Sequence, residues 1–214
     1  MSVQVHRISI LQSMKYNIGL WEVDCRELSE DGKTLQFRQR VEPLVAKLNE
    51  LYDFARKRKL TTVFTTCCSG KMPQKGNRKD FLFVPLQGNE TGWESRLGDY
   101  PLIYLEKVAC GDPRLNFQCR AFDVFHGNRN AERLLFLLDI SNWIVFGNGF
   151  ELCVASSVEG ILGAGYRVQL ITDVLALSAG GYGDFGTEES KARVIDELHA
   201  KGVEILSLRE LIQQ

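Results

Sequence analysis

Two residues in this chain stand where a covalent reaction on a carbonyl could be run. Cys153 follows the apolar run 143–146 (WIVF) through the glycine turn Gly147-Asn148-Gly149, and it opens the next helical stretch. A helix N-terminus carries partial positive charge and unsatisfied N–H groups. Both favour the thiolate, the nucleophilic form of cysteine, and the same N–H groups can take up oxyanion charge during acyl transfer. Cysteine is also among the most buried residue types, so position alone leaves Cys153 open between nucleophile and small core residue. Lys107 closes the third strand-like run, residues 102–107 (LIYLEK). An ammonium there stabilises a thiolate or binds an anionic group, while a solvated strand-end lysine is the plainer account of that residue taken alone.

Such chemistry also wants a carboxylate to take the thiol proton. The first strand-like run, residues 5–11 (VHRISIL), is followed by Gln12, an amide that does not titrate. Glu22 and Asp24 lie in the loop beyond it, and nothing in the sequence brings either one to the site.

The elements that must position these residues alternate between two periods. Val41, Leu44, Val45, Leu48, Leu51, Tyr52 and Ala55 form one apolar helical face, and Pro43 is acceptable only in the first turn of that helix. Residues 61–66 (TTVFTT) read as a second strand, 102–106 as a third, 143–146 as a fourth, 168–172 (VQLIT) as a fifth and 203–206 as a sixth. Helices are expected at 131–138, 152–164 and 188–201, with Gly165 and Gly202 just past the ends of the last two, and a final turn at 208–212. Strands apolar on both faces and separated by helices imply a three-layer α/β/α sandwich around a six-stranded, mostly parallel sheet of Rossmann-like topology. Ligands in such sheets bind beyond the C-terminal strand ends, where Cys153 and Lys107 fall.

One domain of 214 residues accounts for the whole chain, with irregular excursions near 67–101 and 108–128. Trp93, Phe117, Phe122 and Phe125 in these excursions could wall a substrate pocket or a subunit interface. A net charge of −1 with no long basic stripe argues against a nucleic-acid partner, and the run 56–59 (RKRK) reads as a solvated helix end. No run is long enough to span a membrane, and the first eleven residues do not read as a signal peptide. A cytoplasmic protein with reduced thiols is expected, and its six cysteines form no CxxC pair. No cofactor is expected: no Gly-x-Gly-x-x-Gly turn follows the first strand, and Gly180-Gly181-Tyr182-Gly183 reads as a hinge.

Residues 147–168, with Asp173 after them, resemble the isochorismatase-like cysteine hydrolases: strand, glycine turn, acidic residue, Cys-Val, then a helix ending in Gly-Tyr before a Val-rich strand. The resemblance implies a Cys-Lys-Asp triad, with Cys153 as nucleophile and Lys107 as its cation. It implies a substrate and oxyanion pocket from Gln12, Gly149, Phe150, Glu151, Leu152, Trp93 and Phe125, and a cis peptide at Gly149-Phe150. It implies hydrolysis of a small-molecule amide or related C–N bond, a homo-oligomer, and no metal, because residues 66–69 (TCCS) lack the nicotinamidase ligand set. The family's Asp-x-Gln falls on Gln12 or Ile10, which are not carboxylates. A degenerate relative that only binds a ligand or partner is therefore the alternative.

Overall fold

The structure is a computed structural model, which describes residues 17–25, 42–67, 102–107, 122–127, 131–178 and 183–214. Six strands form one parallel sheet: β1 (Ile18–Val23), β2 (Thr61–Cys67), β3 (Leu102–Lys107), β4 (Asn142–Asn148), β5 (Arg167–Ala176) and β6 (Glu204–Leu206). Their order is β3-β2-β1-β4-β5-β6, and every neighbouring pair is parallel. The chain moves outward from β1 to β3, then returns to β1's other side for β4. The β1/β4 boundary is thus the point where strand order reverses, the usual location of a ligand crevice in an open α/β sheet.

The described helices are α1 (Val45–Arg58), α2 (Val124–Gly127), α3 (Ala131–Leu138), α4 (Ala155–Gly163), α5 (Glu188–Ala200) and α6 (Leu208–Gln213). Helix α1 follows a 3-10 turn at Glu42–Leu44 that contains Pro43, where the missing N–H of proline costs little. Its buried face, Leu48, Leu51, Tyr52 and Ala55, packs with α6 against Leu20, Ile144, Phe146 and Ile171. The opposite sheet face carries Trp21, Val23, Val63, Trp143, Val145 and Leu170 under α3, α4 and α5. Strand alternation explains the division: Leu20 faces one layer, Trp21 the other.

Strand β1 corrects the sequence reading, which treated residues 18–23 as part of a polar connection. The run 5–11 and Gln12 lie outside the described residues. Gly19 and Glu22 disguise the strand, and both have tertiary reasons. A Cβ on Gly19 would stand 2.7 Å from the Trp143 ring, so the indole occupies the space a side chain would need. Glu22 is fully buried and accepts a hydrogen bond from the Tyr52 hydroxyl of α1.

Aromatic stacking ties α2 to this strand. Phe125 stacks on Trp21 at 5.5 Å and 13°, while Trp143 meets Trp21 edge-on at 5.4 Å. Gly160 of α4 lets the Phe125 ring lie against the helix: an added Cβ would be 2.1 Å from that ring. Gly160→Ala gains helix propensity but must displace Phe125, for a net loss of about 1 kcal/mol. Thermal melts should show a fall of about 2–4 °C. In a Phe125→Ala background the same change should become stabilising; a stabilising Gly160→Ala in the intact protein would show that the ring yields freely.

Candidate active site

The C-terminal strand ends bring the candidate residues to one edge. Val23 is in register with Thr65 of β2 and Gly147 of β4, and Cys67 with Lys107 of β3. Asp24 is the first residue beyond β1, and its N–H donates to the Thr65 carbonyl at 2.9 Å. Its φ of 50° breaks the strand there, a conformation that aspartate tolerates better than most residues. A carboxylate therefore does stand at the end of the first described strand. The sequence signal was the apolar run before it, hidden by Gly19 and Glu22. Lys107 ends β3, two strands from Asp24, or about 10 Å at the usual strand spacing.

The turn after β4 is built by two glycines. Gly147 has φ 143°, and a Cβ on it would be 2.1 Å from the Val23 carbonyl oxygen. Only glycine lets β4 press so closely on the end of β1. Gly149 is left-handed, φ 73° and ψ 51°, and starts a π-helical turn, Phe150–Val154. Its carbonyl accepts from the N–H groups of Leu152 (3.0 Å) and Val154 (3.3 Å). Such π turns recur at functional sites. This one replaces the regular helix start expected at 152. Among the described residues no peptide is cis, so the expected cis bond at Gly149-Phe150 is absent and the left-handed glycine redirects the chain instead.

Cys153 lies on this turn, 7% exposed, at the edge of the core layer under α4. It is in no disulfide, nor is Cys25. The Ser157 hydroxyl donates to the Cys153 carbonyl at 2.9 Å, which anchors the turn to α4. A Cβ on Gly149 would stand 3.5 Å from the Cys153 sulfur.

The remaining predicted pocket residues divide. Phe150 is fully buried in the core. Leu152 has its N–H committed to Gly149. Phe125 packs between Trp21 and Gly160. Trp93, Phe117 and Gln12 lie outside the described residues.

Glu151 is buried, and three donors converge on it: the Ser178 N–H on Oε2 at 2.7 Å, the Gly186 N–H on Oε1 at 2.9 Å, and the Ser190 hydroxyl on Oε1 at 2.7 Å. The Ser190 hydroxyl in turn accepts from the Thr187 N–H at 3.1 Å, half of the capping box that starts α5. Burial pushes the Glu151 carboxyl up, but the hydrogen bonds from Ser178 and Ser190 outweigh it and hold the group below its ordinary 4.5. Ser178 and Ser190 carried no sequence signal, since each is a lone serine until the fold brings it to Glu151.

Neither a family model nor a curated protein sequence matches the chain. Solved structures do match it in fold. A cysteine hydrolase from Pseudomonas syringae aligns with TM-score 0.60 at 13% identity, covering 92% of both chains. An isochorismatase-like hydrolase from Alkaliphilus metalliredigens aligns at 0.57 and 16%, covering 94% of this chain and 98% of that one. The MAR1 ribonuclease from Caenorhabditis elegans aligns at 0.56 and 15%, covering 92% and 80%. The chain has the isochorismatase-like fold. No helix among the described residues is long and apolar enough to cross a membrane.

Because the folded-state carboxyl of Glu151 is held below 4.5, its stabilisation is present above that value and is lost as pH falls through the lowered one. Urea midpoints measured from pH 7 down to pH 3 should fall more steeply for the wild type than for Glu151→Gln. Parallel slopes would mean that the carboxylate does not titrate in the folded protein.

Proposed function

We propose that the protein is a cysteine hydrolase that cleaves a small-molecule amide or related C–N bond. The observation that supports this reading is the register of Val23 with Gly147: Asp24 is the next residue after β1, and the Cys153 turn follows β4, the strand paired with β1. Asp24 accepts the thiol proton, and the Cys153 thiolate attacks the carbonyl carbon. The proton passes from Asp24 to the leaving nitrogen, and an acyl-thioester remains. Water then attacks the thioester while Asp24 takes its proton, which returns to the sulfur as the acid leaves. Lys107 supports the thiolate electrostatically. Oxyanion charge falls to N–H groups of the turn other than those of Leu152 and Val154.

The degenerate-binder alternative rested on a first strand that ended without a carboxylate. A carboxylate on Asp24, the residue after β1, supports the enzyme reading over that alternative. The reading takes no cofactor, and among the described residues no group of three or more His, Cys, Asp or Glu could hold a metal ion. The reading keeps a cytoplasmic setting with reduced thiols, and a homo-oligomer in which α3's exposed Phe136 and Leu137 are covered. The net charge of −1 favours a small molecule over nucleic acid, although one fold relative is named a ribonuclease.

At neutral pH iodoacetamide should modify Cys153 ahead of Cys25, with a midpoint below the free-thiol value of about 8.5. Ammonia release should then be screened over a panel of small amides, with RNA as a control. Cys153→Ala should abolish any turnover found, and Asp24→Asn should lower it by about 10²–10⁴-fold. A Cys153 that titrates like a free thiol, together with a panel that yields no turnover, would return the binding role. Degradation of RNA lost in Cys153→Ala would replace the amide substrate.

A further inference from the structure

The proposed mechanism makes no use of Glu151, yet few carboxylates in the described structure are so fully engaged. It lies two residues before Cys153 on the π turn, and its partners come from two other places in the chain: Ser178, just past the end of β5, and Gly186 with Ser190, at the start of α5. The π turn is five residues long; the Gly149 carbonyl accepts from its Leu152 and Val154 N–H groups, and the Ser157 hydroxyl ties its Cys153 carbonyl to α4. A short turn of this kind, following a glycine with free choice of φ, has little intrinsic rigidity. Three charge-assisted hydrogen bonds to one buried carboxylate supply it.

We infer that Glu151 is a positioning residue: its carboxylate fastens the exit of β5 and the start of α5 to the nucleophile turn, and so fixes the direction of the Cys153 thiol. The inference rests on the assignment of Cys153 as nucleophile. Geometry favours a clamp over an electrostatic role. A carboxylate beside a thiol disfavours the thiolate, so as a mere charge Glu151 would work against the reaction. As a three-way acceptor it draws two segments onto the turn. Glutamine cannot replace it, because its NH₂ would meet an N–H or hydroxyl donor. Ser190 has a double part: it donates to Glu151 and accepts from Thr187, so the clamp and the α5 cap share one hydroxyl.

The test uses the full chain as wild type, Glu151→Gln, Ser190→Ala and the double variant. The readout is the plateau rate of iodoacetamide reaction at Cys153, taken at a pH where the thiol is fully ionised, with thermal melts alongside. That plateau does not depend on the thiol's pKa and is blind to stability while the protein stays folded. Glu151→Gln should lower it by about ten- to a hundredfold, on the scale of misplacing a reacting group by an ångström. Ser190→Ala should lower it less, and the double variant should fall no further than Glu151→Gln, because both act through one clamp. Wild-type plateaus in the folded single variants, faster plateaus from a loosened turn, or losses that multiply in the double variant would each overturn the inference. Should Glu151→Gln fail to fold, Ser190→Ala decides alone, by a reduced or an unchanged plateau. A wild-type Cys153 no faster than Cys25 would bring down the nucleophile assignment and this inference with it; a reactive wild type with indifferent variants would bring down only this one.

Discussion

The pairing of β1 with β4 is the contact on which the rest of the site depends. Asp24 is the first residue beyond β1 and Cys153 lies on the turn after β4, so this pairing governs how the two ends are set against each other. Parallel strands normally keep about 4.8 Å between backbones. Here Gly147 comes closer than any side chain allows, against the Val23 carbonyl. The register between β4 and β5 shifts at the same place, between Val145 and Gly147. An irregularity of that kind bends a strand and re-aims the residues after it. The bend at Gly147 and the left-handed Gly149 together swing the chain out of the sheet and into the π turn. Close approach, shifted register and turn form one device, because each uses the absence of a Cβ or of regular pairing at the strand's end.

Strand β1 has to tolerate features that a central strand usually avoids. Gly19 weakens it by entropy and the loss of a packing side chain, yet the vacated volume is filled by Trp143. Glu22 puts a carboxyl group inside the layer formed with α1, where Tyr52 meets it. On the other face, the indole of Trp21 lies between Trp143 and Phe125 and extends the core from β4 across to α2. The strand is therefore held by side chains from α1, α2 and β4, none of them its neighbours in sequence.

That dependence explains what could be read in the sequence and what could not. Helices α1, α3 and α5 and strands β2, β3, β4 and β5 announce themselves by local pattern, and their order implies the sheet. Leu48, Leu51, Tyr52 and Ala55 fall on the buried face that their spacing implies. Cys153 and its glycine turn are legible for the same reason, since their signal is local. Strand β1 is not, because Gly19 and Glu22 are explained by Trp143 and Tyr52, which are more than a hundred and about thirty residues away. With β1 unseen, Asp24 became a loop residue and the carboxylate a missing part. The roles of Ser178 and Ser190 depend on Glu151 in the same way.

The nucleophile turn holds a tension that bears on where its activation comes from. A helix start is commonly credited with enough positive character to favour a thiolate. In this turn two of the N–H groups are turned back onto the Gly149 carbonyl, and a buried carboxylate stands two residues from the sulfur, kept below its ordinary pKa by hydrogen bonds. The turn is therefore a rigid mount more than an electropositive one. Under the proposed reading the stabilising cation must come from elsewhere on the same edge of the sheet, which is the part assigned to Lys107 at the end of β3. A division of labour results: β4 and its turn provide direction, β1 provides the base, and β3 provides charge. Each can then be tuned without disturbing the others, because each is carried by a different strand of a sheet whose register already fixes their spacing.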